Sequence, residues 1–103
     1  MPDKIKRESG KFVLCLYVAG STSKSTRAIK NLKAICEAHL PDCYALNVID
    51  LYEQRERARE AQVVVAPTLV REWPLPVRRL VGDLSQTERV FALLELPGPA
   101  LQP

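Results

Sequence analysis

The chain lacks most of what would point to catalysis. It carries one histidine, one methionine and one tryptophan in 103 residues. Its three cysteines, Cys15, Cys36 and Cys43, form no C-x-x-C pair. An odd thiol count and a polar Met1–Lys11 with no signal-peptide core point to reduced cysteines and a cytoplasmic setting. No run approaches the ~20 apolar residues that a membrane-spanning helix needs. No block of like charge exists either. Fifteen Lys and Arg are interspersed with twelve Asp and Glu, for a net charge of +3. With one Trp, three Tyr and two Phe there is little to stack bases, so neither a nucleic-acid nor a membrane partner is expected. Only four glycines are present, and no Walker pattern.

What remains is an ordinary globular composition, 47% apolar, in a length that fits one domain with a modest core. Residues 1–11 read as a mobile lead-in, 12–96 as the domain and 97–103 as a disordered tail. Phe12 to Val18 is an unbroken apolar run, the mark of a central strand covered on both sides. Hydroxyls at Ser21, Thr22 and Ser23 can cap a helix over 23–40, where Ala28, Ile29, Leu32, Ile35, Cys36 and Leu40 form one stripe that Pro41 ends. Tyr44 to Ile49 is a second strand, giving a right-handed βαβ unit with parallel strands. Glu53 to Ala61 alternates charge and predicts a short exposed helix laced by ion pairs. Val63–Val65 reads as strand interrupted by Pro67, with Leu69 and Val70 continuing it. Glu72 to Pro76 reads as a loop, Val77 to Gly82 as an antiparallel strand. Ser85-Gln86-Thr87-Glu88 has the capping-box pattern before a helix that buries Val90, Phe91, Leu93, Leu94 and Leu96.

The order β-α-β-α-β-β-α is a thioredoxin-like α/β arrangement. Ala66-Pro67-Thr68 stands where such folds hold a cis proline. Thioredoxin chemistry needs a thiol at the start of the first helix, where the helix dipole lowers its pKa. That place reads Gly20-Ser21-Thr22-Ser23-Lys24-Ser25, with hydroxyls only. Cys36, His39 and Cys43 have a spacing that a shared metal could use, but no fourth ligand is evident, and a core thiol, a helix-end imidazole and a loop thiol explain them. A Ser25–His39–Asp50 triad has no support in spacing. No catalytic residue and no cofactor are expected. Trp73, in a Pro-rich stretch, is either a packing plug or an interface anchor.

Five blocks in register, Leu16–Thr22, Arg27–Leu32, Tyr44–Asp50, Ala66–Leu69 and Pro76–Ser85, resemble the KaiB family of bacterial clock proteins over about residues 12 to 96. The resemblance implies a non-enzymatic partner of KaiC, a double-ring hexameric ATPase, whose phosphorylation cycle it modulates, with capture of KaiA or a KaiA-like protein. It also implies a tetrameric resting form with a rearranged second half as the alternative to the thioredoxin-like form. The family's partner-contacting basic positions fall on Arg27, Arg71 and Arg78. Two further family lysines fall on Asn47 and Gln62, which lack the charge and weaken the expectation of KaiA capture. Pro67, Leu93 and Glu95 bear on the fold switch. Relatives that switch carry Gly and Asp where Leu93 and Glu95 stand, and good helix formers there favour the thioredoxin-like form. The competing readings are a sensor or adaptor domain of a SasA-type histidine kinase or stress pathway, which the absence of a kinase segment disfavours, and a redox protein, which the missing thiol disfavours.

Overall fold

The computed structural model describes residues 11–96, so the lead-in and tail expectations for 1–10 and 97–103 lie outside the described residues. Four strands form one sheet: β1 (Phe12–Val18), β2 (Tyr44–Asp50), β3 (Thr68–Trp73) and β4 (Arg78–Val81). Their order is β2-β1-β3-β4. β1 pairs parallel to β2 and antiparallel to β3, and β4 is antiparallel to β3. Three helices complete the chain: α1 (Ser23–His39), α2 (Arg55–Glu60) and α3 (Thr87–Leu93). This is the thioredoxin-like arrangement expected from the sequence.

β1 sits between β2 and β3, which explains why its residues are apolar on both sides. Leu14, Leu16 and Val18 face one core with Ala28, Leu32, Ile35 and Cys36 of α1, Leu69 of β3, and Val90, Phe91 and Leu93 of α3. Cys15 and Tyr17 face a smaller core with Ile49, Ala58, Val63 and Val70. Each large apolar side chain so buried contributes about 1.5–3 kcal/mol, and most of that gain lies on the α1–α3 side. The second face is roofed mainly by α2, which buries only Ala58 of its own residues.

Several sequence expectations need correction. Val63–Val65 is not a strand. Val63 is buried beneath α2, while Val64 is 89% exposed. Pro67 supplies no N–H for a ladder, and the Thr68 hydroxyl donates to the Val65 carbonyl at 2.7 Å, closing the segment as a turn. Glu72 and Trp73 belong to β3, not to the loop, because a register shift between Val13 and Leu14 lets the strand run on past Arg71. The capping box does not form. Gln86 is the N-cap of α3 and makes no side-chain cap bond. The Asp83 carboxylate takes the Ser85 N–H instead, at 3.1 Å. Along α2 the described residues show one ion pair, Arg59–Glu56 at 3.7 Å, rather than a lattice of them. The Ala66–Pro67 bond is cis as expected, and so are Trp73–Pro74 and Leu75–Pro76.

Candidate functional site

The start of α1 is where a thiol-based site would have to lie. Thr22 is the N-cap, and its hydroxyl oxygen accepts the Ser25 N–H at 3.3 Å. The buried Ser25 oxygen accepts the Ala19 N–H at 3.1 Å. These hydroxyls satisfy helix-end and turn donors, as capping requires. The thiols lie elsewhere. Burial pushes Cys36 up to about 12. Burial, helped by the Glu72 carboxylate, pushes Cys15 up to about 11, and the Cys15 thiol donates to Glu72 Oε2 at 3.3 Å. Cys43 is exposed. The thiolate is the nucleophile, so at pH 8 only about a thousandth of Cys15 would be reactive. Native protein treated with iodoacetamide at pH 8 is therefore expected to gain one adduct, on Cys43. Three adducts are expected after denaturation. A second fast-reacting thiol in the native mass spectrum would contradict this burial.

His39 packs edge-on against the Phe91 ring, centroids 4.9 Å apart, which ties the end of α1 to α3. Among the described residues no cluster of three or more His, Cys, Asp or Glu is disposed to hold a metal ion.

The five residues taken from the resemblance, and Trp73 singled out by its Pro-rich context, do not form one patch. Arg27, on α1, holds Asp83 in the β4–α3 connection at 3.1 Å, and Asn31 donates to the Asp83 carbonyl at 2.9 Å. The Ser85 hydroxyl, followed by the Arg27 guanidinium, keeps the Asp83 carboxyl below the usual carboxylate range. Arg78 is exposed on β4. Asn47 lies across the sheet on the edge strand β2, as the register partner of Cys15 on the second face. Gln62 follows α2 with φ +58°, and its carbonyl accepts from Arg79 Nη1 at 3.1 Å. Trp73 is half-buried at the end of β3, opposite Val13.

Arg71 corrects its expectation outright. It is 0% exposed, so in this fold it cannot contact a partner. Its Nη1 donates to the Leu93 carbonyl at 2.7 Å and pairs with Glu95 Oε2 at 3.2 Å, and its Nη2 donates to the Pro76 carbonyl at 3.1 Å. Only its Nε lacks a partner. A planar fork reaching three acceptors is geometry that a lysine ammonium cannot match. Leu93 and Glu95, flagged for the switch, are thus part of what Arg71 holds. Glu95 does so with φ +58°, just past the end of α3.

Arg79 escaped the sequence reading. It donates to the Ala61 and Gln62 carbonyls, tying β4 to the end of α2. The run Arg78-Arg79-Leu80-Val81 puts one arginine on each face of the strand, and nothing local says which of them finds carbonyls.

Backbone topology and the thiol-free helix start together define a thioredoxin-like domain without the redox motif. Solved structures agree on the fold. The germline thioredoxin Deadhead of Drosophila melanogaster superposes with a TM-score of 0.71 at 13% identity, covering 93% of this chain and 90% of that one. The N-terminal domain of Synechococcus elongatus SasA gives 0.65 at 26% identity, covering 82% and 84%. Residues 15–96 match the KaiB domain, and the chain belongs to the KaiB family. It is 47% identical over 85 residues to the circadian clock oscillator protein KaiB of Synechococcus elongatus, covering 82% of this chain and 83% of that protein. It is 39% identical over 95 residues to the circadian clock protein KaiB3 of a Synechocystis strain, covering 92% and 93%.

Proposed function

We propose that this chain is a non-enzymatic timing regulator of the cytoplasm that docks on a KaiC-type hexameric ATPase and modulates its phosphorylation cycle. The observation that carries the reading is the start of α1. In a family of clock proteins with a thioredoxin-like fold, Thr22 and Ser25 are spent on backbone caps where a redox enzyme needs a nucleophile. The surface is then the working part. Exposed Leu75, Val77 and Val81 lie along β4 and the loop before it, beside the exposed cation of Arg78. An apolar rim with an arginine suits a protein partner. KaiA or a KaiA-like protein is a further candidate partner, for which Asn47 marks the β2 edge. A tetramer with a rearranged second half is the candidate resting form.

The likeness to the SasA N-terminal domain supports a second reading, an adaptor in a histidine-kinase pathway. The first reading needs a KaiC-type ring and the second a kinase, so the first experiment is a pull-down of purified chain with the host's KaiC relative, phosphorylated and unphosphorylated, under each nucleotide. Retention by one phosphorylation state above the other is expected, together with a shift in the ring's phosphorylation time course. No association under any condition, or disulfide reductase turnover by the chain alone, would overturn the reading. A kinase pulled down without the ring would favour the adaptor.

A further inference from the structure

β4 and α3 enclose a groove of about 230 Å³ lined by Arg78, Arg79, Leu80, Arg89, Ala92 and Leu93. Its lining holds no carboxylate, and of its three arginines Arg79 turns its guanidinium to the other face of the sheet, leaving Arg78 and Arg89. Arg78 is also the register partner of Arg71, so two guanidinium-bearing residues stand directly opposite on adjacent strands. Like charges so placed repel. The buried Arg71 has Glu95 as its counter-ion, whereas among the described residues neither Arg78 nor Arg89 is paired with a carboxylate. Arg79 is directed to the Ala61 and Gln62 carbonyls, neutral acceptors that leave its charge uncompensated. Leu80, Ala92 and Leu93 give the groove apolar walls, while Arg78 and Arg89 stand exposed at its mouth, where their charges add. The Leu93 carbonyl, which would oppose an anion at the end of α3, is already taken by Arg71.

We infer that the β4–α3 groove is a binding site for a phosphate-class oxyanion, held by the guanidinium groups of Arg78 and Arg89. The space is below the range of a drug-sized pocket and suits a small tetrahedral anion, and the arginine fork matches two of its oxygens at once. A bound dianion supplies the counter-charge that Arg78 and Arg89 lack, so occupancy stabilises the thioredoxin-like form. The inference does not rest on the docking reading and is tested without any partner protein.

The test is an amide-resolved NMR titration of the full chain with inorganic phosphate, against sodium chloride at matched ionic strength. Saturable shifts are expected at Arg78–Leu80 and Arg89–Leu93 with phosphate and not with chloride. Arg89→Gln and Arg78→Gln are each expected to weaken binding by about tenfold, the loss of one charge-assisted contact. Phenyl phosphate in a parallel arm separates the sources. Tighter binding of the monoester assigns the site to an ester-borne phosphate, and equal or weaker binding to the free anion. Shifts that follow ionic strength alike in both salts, or an affinity unchanged in the exposed, folded Arg89→Gln chain, would overturn the assignment.

Discussion

An Arg71→Ala chain is expected to lose about 3–5 kcal/mol of stability in urea unfolding, a large part of what a domain of this size possesses. The loss has three sources. The Leu93 and Pro76 carbonyls lose a charged donor at 2.7 and 3.1 Å. The space of a side chain that is 0% exposed is left to a methyl group. The link from β3 to the end of α3 disappears with the Glu95 pair. Arg71→Lys keeps the charge but has one nitrogen for three acceptors, so it is expected to fall between the two, at about 1–2 kcal/mol. Arg71→Met preserves volume without donors, and separates packing from hydrogen bonding. A loss below about 1 kcal/mol in Arg71→Ala would mean that the fork does not hold the second half of the fold.

Replacing Leu93 with glycine is expected to be comparably costly. Leu93 is 6% exposed and packs with Leu84, Val90 and Phe91 in the main core. Truncation of a buried leucine costs about 2–5 kcal/mol, and a glycine within a helix adds about 1. α3 has only seven residues and no side-chain cap, so it has little else to hold it. Circular dichroism of Leu93→Gly should show helix loss confined to the size of α3, and NMR should show the amides of α3 and β4 changed while those of β1 and α1 stay. An intact terminal helix, or a uniform collapse of all elements, would argue against Leu93 as the residue that commits this chain to the thioredoxin-like form.

The two elements read best from sequence, β1 and α1, carry periodic signals that are local and redundant. An unbroken apolar run has one structural solution at the centre of a sheet, and a stripe at three- and four-residue spacing has one as a surface helix. The misreadings occurred where a specific polar contact, near or far along the chain, overrides the residue pattern. Three valines in a row favour a strand on propensity alone, yet the Thr68 hydroxyl and the proline turn that segment instead. Ser85 has the residue type for a cap, but the Asp83 carboxylate two positions earlier takes its N–H first. For the candidate site, the lack of a thiol was legible because it needs only position. The burial of Arg71 was not, since a charged side chain reads as surface until its acceptors, 22 residues further on at Leu93, are known to fold over it.

The link from Arg79 to the Ala61 and Gln62 carbonyls gives the thinly roofed side of the sheet a mechanical property. The short helix over that side brings little apolar area of its own, so the packing of Ala58 and Val63 at its carboxyl end is supplemented by one guanidinium from the outermost strand. Displacing that strand therefore pulls on the chain at Ala61 and Gln62. A tug at one rim reaches the helix layer through that strut as well as through the packed interior.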